Sequence, residues 1–535
     1  MIGSELMYYV QLDGYSLKSI YKNAFVKIKE NILNMFMCAI IMFCMLILDL
    51  QNIYFCIAYL LIETSLWLWA GNQFEYINKI KYTKRLIRQF VLYVILLIIV
   101  CILFLQSNTY YLTIFFPLIF FFQYVIFNLD LLILYPVEKI IGAKFINSAK
   151  KKLAENNKLI KIGITGSFGK TSTKEILNSI LSCEYYTLAT PKSYNTPFGI
   201  SKTINEYLLN SHEIFICEMG AKRKGEITEL CKMVSVDCGI VTAVGRQHLE
   251  TFSSLENVYK TKKELPDYLY QKFCVFNLMN NLVMQMYKEY LYLKSGVFIL
   301  QKRNYSKLHK SCKTSKHFNL SKNIKLNILY EFPKNNNVYA KKVVSSSDFS
   351  TFEIWKDKYF VCSVKTELIG IHNIINILLA SAMALTIGIS SKSIVRGVGN
   401  IKNIKARFEK NKNTNGAIII NNGYNSNLDS APYTLKALNL FDAKHKVVVT
   451  PGLVECKNAF DDNYKFGRLL SKYCTEVIIV KKINRNAIKK GLISSGFDEK
   501  KIHAVDGFAE VRGVLENATD DYVILIENDL PDNYK

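Results

Sequence analysis

The residues best placed to do chemistry in this chain run from Thr165 to Lys174: Thr165-Gly166-Ser167-Phe168-Gly169-Lys170-Thr171-Ser172-Thr173-Lys174. The segment before them, Leu159–Thr165, alternates weakly and reads as a buried strand, and the residues after them keep a helical pattern through Leu181. A glycine-rich turn between a strand and a helix lets backbone N–H groups wrap phosphate oxygens at the positive end of the helix. In that setting the Lys170 ammonium reaches β- and γ-phosphates and the Thr171 hydroxyl can ligate Mg²⁺. The generic phosphate-loop pattern would place a glycine at Ile164. The shorter form found here still supports nucleotide binding, with Thr165, Gly166, Ser167, Gly169, Lys170, Thr171 and Ser172 as the contacts.

Several downstream segments carry further polar residues in a fixed order. They are Ser193-Tyr194-Asn195-Thr196-Pro197-Phe198-Gly199-Ile200, Phe215-Ile216-Cys217-Glu218-Met219-Gly220-Ala221 and His248-Leu249-Glu250-Thr251-Phe252. Lys260-Thr261-Lys262-Lys263-Glu264 comes next, then Gly370-Ile371-His372-Asn373 with Asn376, and Ala406-Arg407-Phe408-Glu409. Together with the loop, this series resembles the Mur ligase family, the ATP-dependent muramyl-peptide ligases, and within it the D-alanyl-D-alanine-adding branch. The likeness extends from Leu159 to the end of the chain.

The resemblance implies ATP and Mg²⁺ as cofactors and assigns roles residue by residue. Thr171, Glu218 and His248 would hold the metal, joined by Lys262 if that lysine is carbamylated. Lys170, His248 and Lys262 would be the catalytic residues. His372, Asn373, Asn376, Arg407 and Asn422 would contact the nucleotide, and Asn195 the substrate. Three positions depart from the family pattern. Asn421-Asn422 stands where the family has Asp-Asp, Met279 where an Asp is expected after Asn277, and Ala406 where a Gly precedes the arginine. The implied reaction activates a carboxylate as an acyl phosphate, which an amino acid or peptide amine then attacks. Both steps gather negative charge, so such a site needs cations rather than a protein nucleophile. A poly-γ-glutamate-type synthetase shares this chemistry, and a low-turnover nucleotide-binding membrane scaffold would use the same loop.

These residues must be positioned by an α/β framework. After about Lys405 short apolar strands at Ala417–Ile420, Lys446–Thr450, Glu476–Val480 and Tyr522–Ile526 alternate with helices such as Asp429–Leu440 and Asn484–Ser494, the pattern of a doubly wound, Rossmann-like domain. Residues 151–404 then form the ATP-binding central domain and 405–535 the C-terminal one. The stretch Leu282–Ser347, rich in Lys, Asn and Ser, is expected to complete the central sheet with strands near 325–331 and 337–344.

Residues 1–150 are of another kind. Four apolar runs, at 32–48, 53–70, 90–105 and 110–129, each approach the ~20 residues that cross a bilayer core. Basic residues cluster before the first run, between the second and third (Lys79, Lys81, Lys84, Arg85, Arg88) and after the fourth (Lys150–Lys152), while the other two loops have none. Four spans would therefore place both termini and the ligase domains in the cytoplasm of a multi-pass protein of the cell membrane. The membrane segment occupies the place of the family's UDP-sugar-binding domain, so the expected partners are the lipid bilayer, a lipid-linked envelope precursor and an amine substrate. Glu63 and Asp130, within and just after two of the runs, are either functional carboxylates or bland ones, an interhelical hydrogen bond for the first and an interfacial position for the second.

Composition narrows the remaining classes. Hydrophobic residues make up 50% of the chain and charged residues 21%, which excludes bulk disorder. The net charge of +24 comes from lysines scattered among Asn and Ile, so no nucleic-acid partner is expected. The 13 cysteines form no CxxC pair, and neither a zinc site nor a disulfide framework is indicated.

Overall fold

The computed structural model describes residues 82–105, 109–290, 294–300, 336–424 and 426–528. It divides into two compact units, Met1–Lys144 with Pro531–Lys535, and Phe145–Leu530.

In the first unit the described residues belong to helix α1, Lys84–Leu105, and to most of helix α2, Thr109–Glu155. Two of the expected spans, 32–48 and 53–70, lie outside the described residues together with Glu63, whereas 90–105 and 110–129 fall within α1 and α2. Among the described residues no helix is long and apolar enough to cross a membrane. Both helices nonetheless expose large apolar side chains, including Phe90, Ile95, Ile98 and Ile102 on α1 and Leu132, Ile133 and Ile140 on α2. Asp130 is fully buried, and neither carboxylate oxygen has a hydrogen-bond partner among the described residues.

The second unit holds two sheets. The first takes β1 (Ile160–Thr165), β2 (Thr187–Ala189), β3 (Ile214–Met219), β4 (Cys238–Val241), β5 (Phe273–Asn277), β6 (Lys294–Ile299), β7 (Val338–Ser345), β8 (Ser350–Lys356) and β9 (Tyr359–Thr366). Their order is β2-β3-β1-β4-β5-β6-β7-β8-β9, parallel as far as β7 and antiparallel from there. The strand expected near 337–344 is β7, and the one expected at 325–331 lies outside the described residues.

Both faces of this sheet are covered, which is why its inner strands read as unbroken apolar runs. Along β3, Ile214 and Ile216 join one core while Phe215, Cys217 and Met219 join the other. On the first face lie helices α3 (Lys170–Leu181), α9 (Ile371–Ile387) and α10 (Ser391–Gly399); on the second lie α4 (Pro197–Tyr207), α5 (Glu226–Val234) and α7 (Leu255–Tyr268), which follows the short α6 (Leu249–Phe252). Helix α8 (Asn281–Glu289) and the last turns of α2, through Ala149 and Leu153, complete that second core. The chain leaves β1 between β3 and β4, so the loop after β1 opens at a switch point of the sheet, where open α/β folds bind ligands.

The second sheet has the order β10-β11-β15-β12-β13-β14, with only β10 antiparallel. Its strands are β10 (Glu409–Lys412), β11 (Ile418–Asn422), β12 (His445–Thr450), β13 (Glu476–Val480), β14 (Ile502–Val505) and β15 (Tyr522–Glu527). Helices α11 (Ala431–Leu438), α12 (Ala459–Leu470) and α13 (Arg485–Ile493) pack on one face and α14 (Phe508–Asn517) on the other.

Candidate active site

The phosphate loop is shaped by two glycines that no other residue could replace. Gly169 caps α3 at φ 82°, and Gly166 sits at φ 150° so close to β4 that a Cβ would lie 2.1 Å from the Thr242 hydroxyl. The loop is clamped from β4 as well. Thr242 Oγ1 donates to the Phe168 carbonyl at 2.6 Å, and the Ser167 hydroxyl donates to the Gly245 carbonyl at 3.1 Å. Thr165 lies at the buried end of β1, its hydroxyl donating to the Met219 carbonyl at 3.2 Å. Lys170 and Thr171 thus stand at the N-terminus of α3, on a rigid support.

Lys170 Nζ folds over its own loop, donating to the Gly166 carbonyl at 2.7 Å and reaching that of Ser167 at 3.5 Å. Burial brings its pKa down to about 8, with Glu218 opposing the shift and Arg407 adding to it. Thr171 Oγ1 donates to Glu218 Oε2 at 2.9 Å, and Asn195 Nδ2 donates to Glu218 Oε1 at 3.3 Å. Behind them the fully buried Lys174 donates to the carbonyls of Thr190 and Lys192, each at 2.6 Å, and lies 3.7 Å from Glu218. It joins the tip of β3 to the loop carrying Asn195. Lys174 belongs to the motif read from the sequence, which assigns it no role, and its place one turn beyond Lys170 on the same helix is the signal that could have found it.

The other expected residues open onto the same cavity, of about 330 Å³, which is lined among others by Lys170, Thr171, Glu218, His248, Lys262 and Arg407. Asn195, Ser172, Asn373, Asn376, His372 and Asn422 line it too. Asn376 accepts from the buried Thr173 hydroxyl at 3.2 Å, tying α9 to the phosphate-loop helix, and Asn373 donates to the Ile369 carbonyl at 2.9 Å. His372 is packed edge-on against Phe408, and burial lowers its pKa to about 4, so its ring is neutral. Its Nδ1 is buried without a hydrogen-bond partner.

Lys262 is 2% exposed, on α7, with its ammonium 5.9 Å from the centre of the Phe252 ring. Burial first, and the positive charge of Lys170 second, bring its pKa down to about 7 against the pull of Glu264 and Glu226. An amine that is substantially neutral at pH 7 is a nucleophile, as carbamylation by CO₂ requires.

His248 lines the same cavity. Its Nδ1 lies 2.5 Å from Glu455 Oε2, on the loop after β12, and both residues adopt left-handed backbone at φ 52° and 58°. Among the described residues no group of three His, Cys, Asp or Glu side chains is close enough to hold a metal ion. The hydroxyl of Thr171 and the carboxylate of Glu218 do form an oxygen pair of the kind Mg²⁺ prefers, with water and substrate phosphate able to fill the remaining positions.

Arg407 closes the cavity from the side of the second sheet. Its guanidinium stacks 4.0 Å from the centre of the Tyr424 ring, donates to the Tyr424 carbonyl at 2.6 Å and reaches Thr171 Oγ1 at 3.4 Å. It stands between two residues in left-handed conformation, Ala406 (φ 54°) and Phe408 (φ 58°), and Glu409 accepts from the Ala406 N–H at 2.9 Å. Arg246 N–H donates to Asp429 at 2.6 Å and the Arg246 guanidinium lies 3.8 Å from Asp462, adding two further ties between the sheets. Sequence reasoning missed Glu455, Asp429 and Asp462, because each acts through a partner distant in the chain, and it gave no role to Tyr424.

Residues 164–384 match the family model of the Mur ligase middle domain. The UDP-N-acetylmuramoyl-tripeptide–D-alanyl-D-alanine ligase of Bacillus subtilis is 24% identical over 380 residues, 68% of this chain and 72% of that enzyme. The enzyme of the same name from Buchnera aphidicola is 29% identical over 55% of this chain and 56% of its own length. The crystal structure of MurF from Acinetobacter baumannii shares the fold with a TM-score of 0.59 at 20% identity, covering 74% of this chain and 78% of that one. MurF from Thermotoga maritima, solved in complex with ADP, gives 0.58 at 20% identity over 73% and 81%. Phosphate loop, cationic cavity and these relatives define an ATP-dependent ligase that forms amide bonds. Lys170, Thr171, Glu218, His248, Lys262, His372, Asn373 and Asn376 lie in the region matched by the middle-domain model, and Arg407 and Asn422 lie beyond it. Residues 164–384 belong to the Mur ligase middle-domain family.

Proposed function

We propose that this ligase joins a peptide-borne carboxylate to an amino acid or dipeptide amine in the synthesis of peptidoglycan or a related envelope polymer. The substrates in the names of its relatives, a UDP-N-acetylmuramoyl tripeptide and D-alanyl-D-alanine, are the leading pair. We further propose that the residues before Lys150 attach it to the membrane as a multi-pass anchor, with the ligase domains in the cytoplasm. The apolar side chains exposed on α1 and α2, beside the basic Lys84, Arg85 and Arg88, support this reading.

The observation that carries the proposal is the convergence of Lys170, Arg407 and Lys262 with Thr171 and Glu218 on one cavity. A carboxylate oxygen of the acceptor attacks the γ-phosphorus, the bond to the β–γ bridging oxygen breaks, and ADP leaves. Lys170 and Arg407 hold the charge gathered on the phosphoryl oxygens. The amine nitrogen then attacks the acyl carbon, the C–O bond to phosphate breaks, and the nitrogen loses a proton to the departing phosphate or to water. Mg²⁺ bound at Thr171 and Glu218 would neutralise phosphate charge during both steps. A carbamylated Lys262 would present a carboxylate toward the same cation, as the resemblance to the family implies.

The test is release of ADP by the full-length, detergent-purified protein given Mg-ATP, the UDP-linked tripeptide or a membrane lipid extract, and a panel of amino acids and dipeptides. Stimulation by one amine, absent in Lys170→Ala, is the expected result. Nucleotide binding without stimulation by any pair would overturn the ligase reading in favour of a scaffold. The anchor is tested by carbonate washing of membranes, which should leave the protein in the pellet.

A further inference from the structure

The nucleotide-side wall of the cavity is built around a buried carboxylate that no motif includes. Glu527, the last residue of β15, is fully buried. It accepts hydrogen bonds from Asn422 Nδ2 at 2.8 Å, Ser426 Oγ at 2.5 Å and Thr434 Oγ1 at 3.1 Å. All three donors line the cavity. They come from three different segments: the end of β11, the loop after it, and α11. The next residue, Asn528, fastens the same wall from behind. Its N–H donates to the Asn422 carbonyl at 3.1 Å, its Oδ1 accepts from the Ser426 N–H at 3.2 Å, and its Nδ2 donates to the Gly452 carbonyl at 2.7 Å.

Asn422 is held at both ends of its amide. With Nδ2 committed to Glu527, Oδ1 faces the other way and accepts from the Phe408 N–H at 3.2 Å. Phe408 follows Arg407, whose guanidinium reaches across to Thr171. A continuous set of contacts therefore runs from the buried Glu527 through Asn422 to the backbone that carries the phosphate-facing arginine. An aspartate at position 422 would replace the Nδ2 donor by a second acceptor 2.8 Å from the Glu527 oxygen, and the two carboxyls could then meet only by sharing a proton.

We infer that Glu527 is a positioning residue of the ligase: by fixing the Asn422 amide it sets where Arg407 meets the nucleotide phosphates, and the pair Asn422–Glu527 is a single exchangeable unit. The inference rests on the ATP-dependent ligase reading above. Burial supports a further signature, since it raises the Glu527 carboxyl to about 7 against the three hydrogen bonds. The groups that reach it from β11, the following loop and α11 are all neutral, and no charged side chain contributes to the shift. A carboxyl with a pKa of about 7 changes its protonation between pH 6 and pH 8.

The experiment is a reciprocal swap in the full-length protein, read by affinity for a fluorescent ATP analogue, by KM for ATP against kcat, and by thermal unfolding. Asn422→Asp alone should weaken nucleotide binding by about tenfold or more, since two carboxylates would then share one hydrogen-bond site. Glu527→Gln alone should raise KM for ATP by a smaller factor with kcat reduced less. The parent's KM should change between pH 6 and pH 8, and Glu527→Gln should remove that change. The double variant Asn422→Asp with Glu527→Gln restores one donor facing one acceptor, and should regain affinity to within about threefold of the parent. A double variant no better than the product of the two single losses would overturn the inference. So would a Glu527→Gln protein with the parent's KM and pH profile. If the parent itself bound no nucleotide, the ligase reading would fall and this role with it, whereas binding by the parent with no rescue by the swap would sink this inference alone.

Discussion

Replacing Lys262 by methionine separates what this residue costs the fold from what it gives the reaction. Its pKa falls from 10.5 to about 7. At about 1.4 kcal/mol per pH unit, a shift of that size corresponds to roughly 5 kcal/mol of disfavoured charge on a side chain that is 2% exposed. The sign follows from proton counting. Between pH 7 and 10.5 the unfolded chain holds a proton on this lysine that the folded chain has released, so stability rises with pH through that window. In CO₂-free buffer, unfolding of the parent by urea should show a gain of about 2 kcal/mol from this group between pH 7.5 and 9, where the slope is near its full value. Lys262→Met should lose that slope and be as stable as the parent at pH 7.5 or more so, because methionine fills the stem's volume without a charge to desolvate. Its ligase turnover should nevertheless fall by about 10²-fold, the usual cost of losing one charge-stabilising group. In Lys262→Ala, acetate should restore part of the lost turnover, because a free carboxylate can occupy the space of a carbamate. Parallel pH–stability curves for parent and methionine variant would refute the burial argument. Full turnover in either variant would refute the role assigned to the side chain.

Two further outcomes follow from the loop that carries the arginine. Arg407→Lys should lower kcat/KM for ATP by about 10- to 100-fold, since an ammonium can neither stack on Tyr424 at 4.0 Å nor bridge its carbonyl and the phosphates with one planar fork; steady-state kinetics at fixed acceptor would measure it, and a loss under threefold would contradict the geometry. Ala406→Gly should raise stability by up to about 1 kcal/mol, the left-handed strain at φ 54° outweighing the extra freedom of glycine in the unfolded chain, and a fall in thermal midpoint would show that the strain is not there.

The phosphate loop was legible because its chemistry is local. Glycines at Gly166 and Gly169 and the cation at Lys170 lie within five residues on one turn, and the flanking strand and helix appear as Ile160–Thr165 and Lys170–Leu181. The alternating elements of the second sheet were legible for the same reason: Glu476–Val480 is found as read, and the strands around it start or end within one or two residues of the sequence reading. Long-range partnership was not legible. Nothing near His248 announces Glu455, more than two hundred positions away, whose carboxylate oxygen lies 2.5 Å from the histidine ring. The two amino-terminal spans and the strand near 325–331 lie outside the described residues, so the sequence reading stands there as expectation.

The departures from the family pattern were visible as letters, but their meaning required the fold. Read along the chain, Asn422 is an aspartate that has lost its charge. In the structure the charge has a counterpart in Glu527, 105 positions later, on the strand that pairs directly with β11 and places Glu527 beside Asn422 in register. An amide opposite a carboxylate satisfies both groups, whereas two carboxylates there would repel. The amide at 422 and the acid at 527 are therefore one hydrogen-bonded unit in this structure, and counting Asn422 as damage to the nucleotide site treats half of a pair as the whole. Ala406 differs in kind: no partner elsewhere relieves a backbone angle, so its cost stays where it is, beside the arginine that the loop must aim. Of the two departures, the one that removes a charge is the better accommodated, and the one that adds a methyl group is the one expected to weaken this wall of the cavity.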